Sequence, residues 1–383
     1  MRRWLAVGIA VVAVLAIGLE ARRDTHGWSL VFRAANRQGI LRRIADLDTV
    51  PIEERFLAIP VRHASVRARV YTPLHSARHT ALLVSGLHPA GIEEPRLVDL
   101  ARKLAEADVI VVTPDIPELA RFEITPLLTD RIEDAAVWLA TESGLAPAGR
   151  IGLMGISFSG GLAVVAAGRP SLRDRLLYVF SFGGHDDLPT VLRYFSTGSD
   201  PEAPQRTAPL PHDYGLAVVL LTVAEDLVPR EQVGPLTDAV RRFLRASYLD
   251  SVDKPQATRE FAALRALAKT LPQPAATLLG YVNDRDVAHL GPLLLPHVTA
   301  RAGAPAMSPA LSPLPSAPVF LLHGRSDSVI PSSESQRLAG RLRGHAPVHL
   351  LVTPLISHAE TDQPAGAIDI LKLAHFWGDL LAR

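Results

Sequence analysis

Residues 150–167 read RIGLMGISFSGGLAVVAA, and within them two serines stand two positions apart, each flanked at minus two and plus two by a small residue. A serine hydroxyl can serve as a nucleophile when it sits on a strained turn between a strand and a helix, where the close passage of the two elements demands small neighbours. Ser157 has Gly155 and Ser159 as flanks, and Ser159 has Ser157 and Gly161. The strand register favours Ser157. The apolar run Ile151–Met154 ends so that the turn begins at Gly155, and the helix is under way by Gly161-Leu162-Ala163. Ser159 then falls in the first helical turn, where a hydroxyl suits capping or tight packing.

A serine hydroxyl is a weak nucleophile until a base takes its proton. Downstream, VFLLHGRSDSVIP reads as an apolar strand followed by a loop carrying Asp327, and VHLLVTPLISHAETD as the next strand followed by a loop carrying His358. Loops just past the carboxyl ends of neighbouring parallel strands come together. Asp327 would then orient His358, and His358 would carry the proton between Ser157 and a leaving group. His185, Asp186 and Asp187, after LLYVFSFGG, form a second position for an acid. His88 reads equally as a polar wall of the site or as part of a loop stiffened by Pro89. Glu93, Glu94 and Arg96 open a helix, where acidic residues suit the N-terminal dipole. His289 and His297 lack ligand-like spacing, so neither a metal nor a cofactor is expected.

GISFSGG, HGRSDSVIP and SHAE, in this order, resemble the elbow, acid loop and histidine loop of the α/β-hydrolase superfamily over Arg55–Arg383. LLVSGLHPAG is similar to that family's His-Gly oxyanion loop, with Ser85-Gly86 in place of the His-Gly pair. The resemblance implies Ser157, Asp327 and His358 as the triad, with the backbone N–H groups of Phe158 and of Leu87, or else Gly86, as oxyanion donors. Ser159 stands where the family usually has glycine. The implied reaction is cleavage of a carboxylic ester through an acyl-enzyme on Ser157. A peptidase or amidase and an acyltransferase would use the same triad, and a catalytically inactive, membrane-tethered binding module is the alternative from another class. Epoxide and haloalkane hydrolases need aspartate at the elbow.

Elements that position these residues follow from the apolar rhythm. RFLAIPV and SVRARVYTP read as an antiparallel strand pair. Short apolar runs (TALLVSG, DVIVVTPD, RIGLMG, LLYVFSFGG) then alternate with helical patterns. That order predicts an α/β fold with a mainly parallel sheet covered by helices on both faces. From 186 to 318 the alternation gives way to helical patterns that predict a cap over the strand ends, closed by the Pro, Ala and Ser stretch APAMSPALSPLPSAP as an extended linker. The predicted organisation is 1–22 anchor or signal segment, 23–54 lead-in helix, 55–185 first part of the core, 186–318 cap and linker, and 319–383 second part of the core.

The 383 residues, 48% of them hydrophobic, supply ample core. Forty basic against thirty-nine acidic residues leave a formal charge of +1, which provides no broad footprint for nucleic acid. With no cysteine, disulfides and thiolate chemistry are excluded. The uncharged run Trp4–Leu19 spans about 24 Å as a helix and is flanked by arginine pairs. It predicts a membrane anchor with an extracytoplasmic catalytic domain, or a secreted protein if the segment is cleaved. The expected partners are that membrane and a small ester or acyl substrate, with a hydrophobic acyl group suggested by the apolar cap helix GLAVVLLTVA.

Overall fold

The computed structural model describes residues 25–34, 39–200, 214–357 and 366–383. The run from Trp4 to Leu19 and the imidazole of His358 lie outside the described residues.

The short apolar runs become the strands of one sheet: β1 (Ile52–Val61), β2 (Ala64–Pro73), β3 (His79–Val84), β4 (Val109–Pro114), β5 (Ile151–Ile156), β6 (Leu176–Phe182), β7 (Val319–Gly324) and β8 (Val348–Thr353). Their order is β1-β2-β4-β3-β5-β6-β7-β8. β2 is antiparallel to both of its neighbours, and every pairing from β4 to β8 is parallel. Strands covered on both faces favour near-continuous apolar runs, and β3, β5 and β7 are buried almost throughout. At the sheet edges, β1 and β8 expose part of theirs.

Successive side chains point to opposite faces, so each strand feeds two cores. Leu82, Leu153, Val179 and Leu321 pack with α5 (Leu127–Thr141), α6 (Phe158–Ala167) and α13 (Ser332–Leu342). Leu83, Met154, Phe180 and Phe320 pack on the other face with α1 (residues 25–34), α3 (Pro95–Ala105) and α14 (Ala367–Leu381). Helix α3 shows why these segments are helical. The Glu94 carboxylate accepts the Leu97 N–H at 2.7 Å, Pro95 occupies the first turn, and Leu97, Val98, Ala101, Leu104 and Ala105 form its buried face. Short helices α2 (Ile40–Asp46) and α4 (Pro117–Ala120) complete the first half. The lead-in region is thus two helices, and the first strand begins at Ile52 instead of near Arg55.

Between β6 and β7 the described residues contain helices and no strand: α7 (Leu188–Thr197), α8 (Tyr214–Leu227), α9 (Arg230–Val252), α10 (Lys254–Ala268), α11 (Ala275–Asp284) and α12 (Val287–Ala302). The Pro, Ala and Ser stretch that follows differs from the expected extended linker. It folds into two short 3-10 turns, Pro305–Met307 and Pro309–Leu311, with Met307 and Pro309 buried. Prolines remove donors but leave carbonyls free, and the core uses two such carbonyls and one serine hydroxyl of this stretch. Thr129 Oγ1 donates to Ala306 O at 2.6 Å, His185 Nε2 donates to Met307 O at 2.8 Å, and the Leu188 N–H donates to Ser308 Oγ at 2.9 Å.

Candidate active site

Strand β5 ends at Ile156 and α6 begins at Phe158, so Ser157 alone makes the turn, with φ 55° and ψ −129°. A non-glycine residue in this region costs on the order of 1–3 kcal/mol and persists only where its surroundings enforce it. Here the Ser157 N–H donates to Phe182 O at 2.6 Å, and the Gly160 N–H closes the turn on Ser157 O at 2.8 Å. Packing enforces the rest. A Cβ on Gly155 would lie 2.1 Å from Ser159 O, one on Gly160 2.5 Å from Ser181 Oγ, and one on Gly161 2.5 Å from the His185 ring. The need for glycine therefore falls at two before the turn residue and at three and four after it.

The two serines of the motif have different surroundings. Ser159 is fully buried and donates its hydroxyl to Ser85 O at 2.6 Å. Ser157 is partly exposed and lines a cavity of about 870 Å³. One end of that cavity is formed by Ser85, Gly86, Leu87, Ser157 and Phe158. The cap supplies an apolar wall from Leu188, Val191, Leu192 and Phe195 on α7, Val218 on α8 and Leu244 on α9. Leu30, Arg33 and Ala34 of α1, together with α3, line another side. A smaller cavity of about 270 Å³, near Gly168, Arg173 and His345, contains none of the candidate groups.

Asp327 lies three residues beyond β7 and is 1% exposed. Its Oδ1 accepts the N–H groups of Val329 and Ile330 at 2.8 and 2.9 Å, which fix the carboxyl group in place. The neighbouring Ser328, Val329 and Ile330 reach the same cavity as Ser157. So does Ser357, which immediately precedes His358. Gly324 permits this convergence: a Cβ there would sit 2.2 Å from Ser357 O, so only glycine lets the chain after β8 cross the end of β7. On the cap side, burial first, and then the charges of Asp327 and Asp200, push the Tyr194 phenol above its ordinary range and keep it neutral.

Phe158 opens α6, so its N–H is among those with no acceptor inside the helix. Across from it, a Cβ on Gly86 would lie 3.1 Å from Ser157 Cβ and 3.7 Å from Ser157 Oγ. Gly86 therefore lies beside the Ser157 side chain, and Leu87 lines the same cavity. His88, read two ways in the sequence, lines the cavity with its ring edge-on to Tyr248 of α9, centroids 4.6 Å apart. Its Nδ1 accepts the Ala90 N–H at 3.2 Å, and burial pulls its pKa down to about 4. Both readings of His88 thus describe one neutral imidazole.

Residues at the second candidate acid position are engaged elsewhere. Asp186 pairs with Arg341 at 3.0 Å, and Asp187 caps α7 by accepting from Thr190 N at 3.1 Å. His185 stacks on Phe158, centroids 5.2 Å apart. His289 and His297 pair with Asp286 and Asp226 at 2.7 and 3.8 Å. Among the described residues no group of three His, Asp or Glu side chains could hold a metal ion.

The strand order, the antiparallel second strand and the serine turn between β5 and α6 decide the architecture. The fold is that of the α/β-hydrolases. No family model matches the chain, and no curated protein matches it. Among solved structures, it is similar to a thermostable carboxylesterase cloned from a metagenomic library (TM-score 0.45, 18% identity, 95% of this chain and 96% of that one). It is also similar to a dienelactone hydrolase from Anabaena variabilis (TM-score 0.42, 16% identity, 85% and 96%). A third similar structure is an acylaminoacyl peptidase from Pyrococcus horikoshii (TM-score 0.41, 14% identity, 84% of this chain), of which the chain spans 40%.

Sequence reasoning did not single out His323, Tyr248 or the α1 wall. His323 is fully buried and donates from Nε2 to Ile330 O at 2.8 Å, while its Nδ1 lies 2.6 Å from Ser335 Oγ. It pins the loop that carries Asp327. Its position inside an apolar strand is the only sequence signal for that role.

Proposed function

We propose that the chain is a serine hydrolase that cleaves a carboxylic ester with a hydrophobic acyl group through an acyl-enzyme on Ser157. The observation that carries this reading is the Ser157 turn, held at φ 55°, opening into a cavity of about 870 Å³ whose cap wall is apolar. In this mechanism the Ser157 Oγ attacks the ester carbonyl carbon as its proton passes to His358. The carbonyl π pair moves onto oxygen, where the N–H groups of Phe158 and Leu87 receive it. The pair returns, the C–O bond to the alcohol breaks, and His358 gives the alcohol its proton. Water then repeats the sequence, releasing the acid and restoring Ser157. Asp327 holds the imidazolium. The acyl chain lies against Val191, Leu192, Phe195 and Val218.

Support comes from three chain segments that reach one cavity: Ser157, the Asp327 loop at Ser328–Ile330, and Ser357 beside His358. The run Trp4–Leu19, outside the described residues, enters this proposal as a membrane anchor with the catalytic domain on the extracytoplasmic side. Among the described residues no helix is long and apolar enough to cross a membrane. Retention of the full chain in carbonate-washed membranes, lost on deletion of the run, is the expected result. For the activity, Ser157→Ala should lower turnover of medium-chain esters by about 10⁴ or more with folding intact. Retained turnover in that variant would end the assignment.

A further inference from the structure

The hydroxyl at position 159 is the motif element that acyl transfer by Ser157 leaves without a task. It is fully buried, and it spans two segments far apart in the chain, donating from the first turn of α6 to Ser85 O at 2.6 Å. Both ends of this bond adjoin a candidate oxyanion donor. Ser159 directly follows Phe158, and the Ser85 carbonyl shares a rigid peptide plane with the Gly86 N–H, one Cα before the Leu87 N–H. We propose that Ser159 is a positioning residue whose hydroxyl, by bonding Ser85 O, sets the separation and aim of the two halves of the oxyanion site. The proposal rests on the acyl-transfer reading of Ser157.

Three further contacts say that this junction needs a tie. Gly86 approaches Ser157 so closely that a Cβ would meet Ser157 Cβ at 3.1 Å, so a drift of the β3 loop changes the space around the reacting oxygen. Phe158 is clamped from its other side by the His185 ring, which is itself anchored to Met307 O at 2.8 Å. The α6 half is thus fixed to the core, and the hydroxyl of Ser159 fixes the β3 half to it. Oxyanion donors act by being aimed before charge develops, and loss of one costs about 10²–10³ in kcat. A donor that remains but is displaced by a fraction of an ångström loses part of that. Ground-state binding along the cap wall does not involve this bond.

The test compares Ser159→Ala and Ser159→Thr with the full-length protein, using a medium-chain ester and a trifluoromethyl ketone carrying the same chain, whose adduct with Ser157 places an oxyanion in the site. Ser159→Ala should lower kcat about 10-fold or more with KM changed less than about 2-fold, and should weaken the ketone by the same factor by which kcat/KM falls. Ser159→Thr, which keeps the hydroxyl, should recover most of both. Unchanged kcat and ketone affinity in Ser159→Ala, or a rise in KM alone, would overturn the proposal. If Ser159→Ala does not fold, Ser159→Gly replaces it, with the same expectations. Fluorophosphonate labelling separates the two readings. Equal labelling rates for wild type and Ser159→Ala refute the positioning role alone, whereas a wild type that does not label at Ser157 refutes the acyl-transfer reading and this one with it.

Discussion

Gly86 and Ser157 come from different strand ends and meet so tightly that a methyl on the glycine would stand 3.1 Å from the serine Cβ and 3.7 Å from its Oγ. The nearest atoms belong to Ser157 itself and to the Ile156 carbonyl, neither of which can yield without turning the elbow. Gly86→Ala should therefore lower kcat by about 10-fold while shifting the melting temperature by only a few degrees, because the added methyl is small and borders a cavity. Steady-state kinetics beside thermal unfolding check this. An unchanged kcat would mean that the Ser157 side chain does not need this wall.

The carboxylate of Asp327 is fixed by two backbone N–H groups, so its amide analogue should hold the same place without the charge. Asp327→Asn is expected to fold and to lose about 10⁴ in kcat with little change in KM, because the imidazolium is no longer stabilised and the imidazole tautomer is no longer set. Asp186→Asn should leave kcat within about 2-fold, since that residue is committed to Arg341. A larger loss for Asp186→Asn than for Asp327→Asn would exchange their assignments.

Chain-length preference should follow the apolar wall of the cap. Each methylene that leaves water contributes about 0.8 kcal/mol, so kcat/KM should climb about 4-fold per carbon until the wall is filled. Val218→Trp, which places bulk in that wall, should end the climb at a shorter chain while leaving acetyl esters within about 2-fold. A p-nitrophenyl ester series reads both effects. A flat series in the wild type would remove the hydrophobic acyl group from the proposal.

Burial lowers the pKa of His88 to about 4, against about 6.5 in an unfolded chain. Between these values the unfolded state binds the proton more tightly, so this residue's contribution is complete above about pH 6.5 and is lost as pH falls through about 4. His88→Gln should therefore lose less melting temperature than wild type on going from pH 7 to pH 4. Titration of the His88 ring by NMR near pH 6.5 would contradict the half-buried, neutral imidazole at the cavity wall.

The parallel sheet is legible in the sequence because strands buried on both faces are mostly apolar, so β3, β5 and β7 stand out as short apolar runs ending in glycine or a turn, with His323 of β7 a polar exception. The places of Ser157 and Asp327 just past such runs are legible for the same reason. Helix α12 is not, since Pro292 and Pro296 lie inside it and mask its period. The proline-rich stretch before β7 is also obscured, because its order comes from carbonyls accepting Thr129 and His185, partners more than a hundred positions away. The same holds for the α1 side of the cavity, which follows from packing on α14 through Gly27 and not from any local pattern. Ser159 reads in the sequence as a capping or packing residue, and its acceptor, 74 positions away, could be identified only from the fold.

Mapping the site of a fluorophosphonate adduct tests the central claim most directly. Intact-mass and fragment-ion spectra of the full-length protein should show a single adduct, located on Ser157 and absent from Ser157→Ala. An adduct on Ser159, or none on a folded chain at any probe concentration, would contradict the assignment of Ser157 as the nucleophile.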